Sequence, residues 1–88
     1  MARYALEFAP TALRSLRKLD QAAARRIRTA TEALRDKPRP PGALPVKSMP
    51  GILRIRSGDY RILYQVDDER LIVLVVDAGH RSTIYGGH

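Results

Sequence analysis

Apolar and polar residues alternate at the start of the chain. Tyr4, Leu6 and Phe8 fall on one side and Arg3, Ala5 and Glu7 on the other, which predicts a strand over Arg3 to Phe8 with one buried face. The period then changes. Pro10 suits a first helical turn, where its missing N–H costs nothing, and Ala12, Leu13, Leu16 and Leu19 recur at helical spacing with Arg14, Arg17 and Lys18 toward water. Asp20 is placed to cap a second helix from about Gln21 to Asp36. Its inward stripe is Ala23, Ile27, Ala30 and Leu34, with Arg25, Arg26, Arg28 and Arg35 mostly outside. Pro38, Pro40, Pro41 and Gly42 cannot continue a regular helix, so Pro38 to Pro45 reads as a crossing loop.

Beyond the loop the period is two. Pro45 to Met49 is a weak strand candidate and Pro50-Gly51 a turn. Ile52 to Arg56 alternates, setting Arg54 and Arg56 on one face and Leu53 and Ile55 on the other. Ser57-Gly58-Asp59 is a tight connection, Tyr60 to Val66 a strand, Asp67-Asp68-Glu69 a turn, and Leu71 to Val76 a strand aliphatic on both faces, as a central strand is. Tyr60 and Tyr64 share one face and read as packing or stacking surface. The elements predict an α+β fold: an N-terminal strand and a two-helix hairpin packed on a small, mainly antiparallel sheet.

Composition narrows the class. The chain has 88 residues, enough for one core, so 1–88 is expected to be a single domain. Hydrophobic residues at 44% and charged residues at 28% are globular values. Without cysteine there are no disulfides, thiolate metal sites or thiol nucleophiles. Met1 to Ala9 has no long apolar stretch, and Leu71 to Val76 is too short to span a bilayer, so the expectation is a cytoplasmic protein with no membrane partner. Sixteen Lys and Arg against nine Asp and Glu leave a net charge of +7, nearly all of it carried by arginine. That surplus favours phosphate-rich or acidic partners.

The candidate chemistry lies in Arg54, Arg56, Arg61, Arg81 and Tyr85, which adjacent strands can gather into one patch. Arginine's planar fork makes paired charge-assisted hydrogen bonds to phosphate, and several such groups would stabilise the charge of a pentavalent phosphorane. With a ribose 2′-OH as nucleophile this is RNA cleavage with no metal or other cofactor; DNA lacks that nucleophile. Proton transfer is the gap, because arginine is a poor base near neutrality. His80, of the residue type that ordinarily titrates there, and Tyr85 are the candidates for acid or base. Arg25, Arg26 and Arg28 could add phosphate contacts from the second helix, Arg28 being taken as a substrate-binding candidate. Read singly, these arginines are solvated surface residues, and the residue chemistry supports RNA binding better than RNA cleavage.

The run Leu53-Arg54-Ile55-Arg56-Ser57-Gly58-Asp59-Tyr60-Arg61-Ile62-Leu63-Tyr64, with Val73 through Arg81 and then Tyr85, resembles the RelE/ParE toxin superfamily and its RelE-like branch. The resemblance extends over nearly the whole chain. It implies a toxin of a type II toxin–antitoxin module, a ribosome-dependent endoribonuclease that cuts mRNA. It also implies a cognate antitoxin partner, and operator DNA bound through that antitoxin. By motif position it assigns Arg54 to proton transfer or substrate stabilisation, Arg56 to substrate or ribosomal RNA and Arg61 to the scissile phosphate. Arg81 would act on the phosphate or leaving group, and Tyr85 would orient a base. Ile52 stands where well-studied relatives carry a lysine. Two other readings stay open: a ParE-like inhibitor of DNA gyrase, and a non-catalytic module that binds antitoxin and shapes regulation.

Overall fold

The computed structural model describes residues 3–84. Its elements are β1 (Ala5–Phe8), α1 (Pro10–Arg17), α2 (Gln21–Ala33), β2 (Leu44–Pro45), β3 (Leu53–Ser57), β4 (Tyr60–Asp67), β5 (Ile72–His80) and α3 (Arg81–Ile84). Five strands form one sheet in the order β1-β5-β4-β3-β2. The expected α+β architecture is present, and the aliphatic last strand lies inside the sheet. β1 enters parallel to β5, pairing Ala5 with Ile72 and Phe8 with Val75, while the remaining pairings are antiparallel.

The helices begin where their capping chemistry puts them. Pro10 opens α1, and the Asp20 carboxylate accepts the Ala23 N–H at 2.8 Å at the start of α2, a cap worth about 1 kcal/mol. Ala12 and Leu16 of α1, with Ile27 of α2 and Leu34 just beyond it, pack on Ile55, Ile62, Tyr64, Val73, Val75 and Ala78 of the sheet. Both helices thus cover one face. Fully burying an Ile or Val of this set stabilises the fold by about 1.5–3 kcal/mol. Leu13, expected in the inward stripe of α1, is instead 42% exposed, while Thr31 of α2 is buried. The small helix α1 has only one turn-to-turn line against the sheet, and Ala12 and Leu16 take it.

Several boundaries differ from the sequence expectation. The second helix stops at Ala33 and tightens through Leu34, whose N–H donates to the Thr31 carbonyl. The weak strand is Leu44–Pro45, not Pro45 to Met49, because Val46 to Met49 closes a turn. β5 begins at Ile72, since Leu71 takes a left-handed φ of 57° in the turn that Asp67 stabilises by accepting the Glu69 and Arg70 N–H groups. The same strand runs to His80 rather than stopping at Val76. Pairing with β4 carries it through Asp77, Ala78 and Gly79, residues of weak strand propensity.

The proline-containing loop is fastened at two points. Tyr64 donates its hydroxyl to the Pro38 carbonyl at 2.7 Å, and Arg39 forks onto Asp68, which also accepts the Tyr4 hydroxyl. Those hydrogen bonds, from Arg39 first and Tyr4 second, hold the Asp68 carboxyl below its ordinary value. No helix among the described residues is long and apolar enough to cross a membrane.

Candidate functional site

The face of the sheet away from the helix-packed core carries the arginines. Across β3 and β4, Arg54 stands opposite Leu63 and Arg56 opposite Arg61, while Ile55 pairs with Ile62 on the core side. Across β4 and β5, Arg61 stands opposite Gly79. Between Leu63–Asp77 and Tyr64–Val75 the register shifts, leaving Val76 as an extra residue. This bulge reverses the parity of β5, a device that re-aims side chains at the ends of strands. Ala78 then stays in the core beyond Val75, and Gly79, which brings no side chain, falls beside Arg61.

Arg61 is 9% exposed, and its Nε has no hydrogen-bond partner, the one buried side-chain nitrogen or oxygen among the described residues in that state. Arg56 is exposed and Arg54 half-buried. The ion pairs among the described residues belong to other arginines: Arg3 and Arg35 with Glu32 and Asp36, Arg39 with Asp68, Arg70 with Asp67. The nearest acid on the paired strand, Asp77, is two rungs away and already occupied, accepting the Ser15 hydroxyl at 2.6 Å and the Ala78 N–H at 2.9 Å. Arg54, Arg56 and Arg61 therefore form a cationic row without a counter-charge among the described residues.

Arg81 joins the end of this row. Its backbone N–H donates to the Asp59 carbonyl at 2.9 Å, which extends the β4–β5 ladder by one residue and sets the start of α3 beside the β3–β4 turn. His80 is placed differently. It pairs with Tyr60, on the core side of the strand, and the two rings meet edge to face with centroids 5.7 Å apart. Its Nδ1 accepts the Ser82 N–H at 3.2 Å and lies 2.8 Å from the Ser82 hydroxyl. That nitrogen acts as the cap of α3, and the ring does not face the arginine row. Tyr85 lies outside the described residues.

Arg28, expected among the substrate contacts, lies away from the row in a shallow depression with Arg3, Arg25, Glu32 and Asp36. The helical period turns it from the hairpin and brings Arg26 there instead. Tyr64 is fully buried and Tyr60 half-buried on the core side, so both tyrosines pack as expected. Beyond Arg54 the edge of β3 has no strand partner, and a cleft of about 910 Å³ opens there between α2 and the loop, lined by Ala30, Leu34, Pro40, Pro41, Arg54 and Arg56 among others. No cluster of three or more His, Asp or Glu able to hold a metal occurs among the described residues.

The model of the ParE toxin family of type II toxin–antitoxin systems matches residues 6–85. The chain belongs to the RelE/ParE toxin superfamily. Within the superfamily its relatives carry RelE names: it is 34% identical over 83 residues to toxin RelG of Mycobacterium tuberculosis, covering 93% of this chain and 95% of that one. It is 33% identical over 86 residues to the mRNA interferase toxin RelE of Escherichia coli K12, covering 93% and 90%. Among solved structures, the RelBE2 toxin–antitoxin complex of M. tuberculosis aligns with a TM-score of 0.79 at 29% identity, over 90% of this chain and 99% of that one. The intact E. coli RelBE complex aligns at 0.73 and 32%, over 88% and 95%. These place the chain on the RelE-like branch, as a toxin of a type II module, and the five-stranded α+β fold is that of the RelE structures.

Proposed function

We propose that this toxin is an endoribonuclease that cuts mRNA on the ribosome, with Arg61 at the scissile phosphate. The observation that carries the reading is the buried Arg61, whose Nε has no hydrogen-bond partner among the described residues. A buried donor without a partner costs about 1–3 kcal/mol, more when charged, and such a cost persists where a ligand supplies the missing acceptor. A phosphodiester fits, because a guanidinium fork grips two of its oxygens at once. Arg56, directly across the ladder, supplies a second cation at the same place.

The chemistry follows from that placement. The ribose 2′-oxygen attacks the adjacent phosphorus and gives up its proton to water, the bond to the 5′-oxygen breaks, and that oxygen takes a proton from water as it leaves; a cyclic phosphate remains. Arg61 and Arg56 hold the non-bridging oxygens, whose negative charge grows toward the phosphorane, and Arg81 meets the departing oxygen. Arg54 stabilises the substrate strand beside them. Tyr85 orients a base. His80 holds α3, and hence Arg81, in place through its cap to Ser82.

The ribosome enters because the arginine row has no aromatic platform among the described residues: Tyr60 and Tyr64 pack on the core side. Single-stranded RNA is ordinarily held by stacking, so a row of cations alone leaves the positioning of the strand to another surface. The E. coli relative named as an mRNA interferase supports the substrate. The solved RelBE complexes support a cognate antitoxin as partner, and the charge of +7 favours an acidic one, which would carry the pair to operator DNA.

Brief expression followed by mapping of mRNA 5′ ends tests the reading. Cuts clustered within translated codons, absent with Arg61→Ala and Arg81→Ala, are expected. The ParE name of the family model favours a second target, DNA gyrase. Intact mRNA together with blocked supercoiling would establish that target and remove the nuclease.

A further inference from the structure

The two-residue turn between β3 and β4 is a meeting point of four elements. Arg56 and Arg61 form the second rung behind it, after Ser57 and Tyr60, and Arg81 is tied to it through Asp59. The fourth element is α2. Gly58 adopts φ +63°, and the Arg26 guanidinium lies over it, its Nη1 filling the space a side chain at residue 58 would need. The left-handed backbone is what favours glycine at 58, and the absence of a side chain there lets the flexible Arg26 guanidinium settle over the turn. Ala22 and Ala30, one turn to either side of Arg26, are small and leave a shallow trough with Thr29 and Ser57 in which this guanidinium is the prominent cation beside Arg25.

Arg26 has no ion pair among the described residues, although its helix carries Glu32 and the turn carries Asp59. A long, exposed side chain loses rotamer entropy when it is laid against backbone, and no carboxylate among the described residues offsets that loss. A guanidinium held over the turn extends the cationic row around the end of the hairpin, from the β-strand face to the flank of α2.

We infer that Arg26 is a substrate-binding residue, gripping the phosphodiester next to the one that Arg61 holds and so setting the direction in which the RNA strand leaves the site. This rests on the nuclease reading above and adds a contact from the second helix at Arg26. Because it binds a phosphate that does not react, Arg26 contributes equally to the ground state and the transition state. Its removal therefore raises KM and spares kcat.

The test uses the full chain and its Arg26→Ala and Arg26→Lys variants. Cleavage is followed on ribosomes programmed with a short mRNA, and binding to a 2′-O-methyl oligoribonucleotide, which cannot be cut, is followed against salt. Arg26→Ala should raise KM about fivefold with kcat unchanged, the effect of one exposed charge contact. The slope of log affinity against log salt should fall by about 0.7, one phosphate contact on a single strand, and Arg26→Lys should restore it. Unchanged KM and slope in Arg26→Ala would overturn the inference while leaving Arg61 in place. Equal impairment of both variants with a lowered melting temperature would also overturn it, showing that Arg26 only braces the turn. A wild-type chain that neither cuts nor binds RNA would remove the nuclease reading and this inference together.

Discussion

Arg56 and Arg61 stand directly opposite each other across β3 and β4, and no carboxylate among the described residues pairs with either. Like charges in that cross-strand position destabilise a sheet by about 0.2–1 kcal/mol, and Arg61 adds the cost of a buried, unsatisfied Nε. The arrangement works against folding and for an incoming anion.

Arg61→Met, an apolar replacement of similar reach, should therefore separate stability from activity. Thermal unfolding should show a variant at least as stable as the wild type, and a gain of about 1 kcal/mol would raise Tm by about 4–8 °C in a domain of this size. Its cleavage rate should fall by at least about 100-fold. A variant that loses stability while still cutting RNA would contradict the stored cost and the assigned role.

His80 provides a second separation, between holding a helix and moving a proton. Asn can accept the Ser82 N–H as the His80 Nδ1 does, whereas Ala cannot. His80→Asn should stay near wild-type activity with an unchanged pH–rate profile, and His80→Ala should lose about fivefold, the worth of about 1 kcal/mol of cap. Equal loss in both variants, with one limb of the pH profile gone, would return His80 to proton transfer.

Tyr64 makes stability depend on pH at the alkaline end. Burial pushes its phenol up to about 12, above the ordinary 10.0, so the fold favours the neutral form. The stabilisation is complete below about 10 and is lost as pH rises from there through about 12. Tyr64→Phe should remove this alkaline decline and cost about 1–2 kcal/mol near neutrality, because the Pro38 carbonyl loses its donor. Urea unfolding at a series of pH values would check it; parallel declines in the two proteins would exclude Tyr64 as the source.

Much of the fold was legible in periodicity. Alternation marked β1 and β3, flanking turn signals marked β4, Asp20 and Pro10 marked the helix starts, and an aliphatic run marked an inner strand. The parity that set Arg54 and Arg56 on one face and Ile55 on the other survived intact, because it is a property of a single strand. The resemblance named the superfamily from residues that lie mostly on β3, β4 and β5, with Arg81 on α3 and Tyr85 outside the described residues.

What a local pattern cannot encode is which elements become neighbours and in what register. Only the folded sheet brings β1 parallel to β5, and only the bulge at Val76 puts Gly79 beside Arg61 while sending His80 to the opposite face; a slip of one residue exchanges the two faces of a strand. Packing of α2 against the hairpin likewise selects Arg26 over Arg28. The chain's own order of residues determined a basic α+β toxin with arginines on one strand face. Tertiary structure decided which arginine is buried and left without a partner, because burial and pairing depend on groups far apart in sequence.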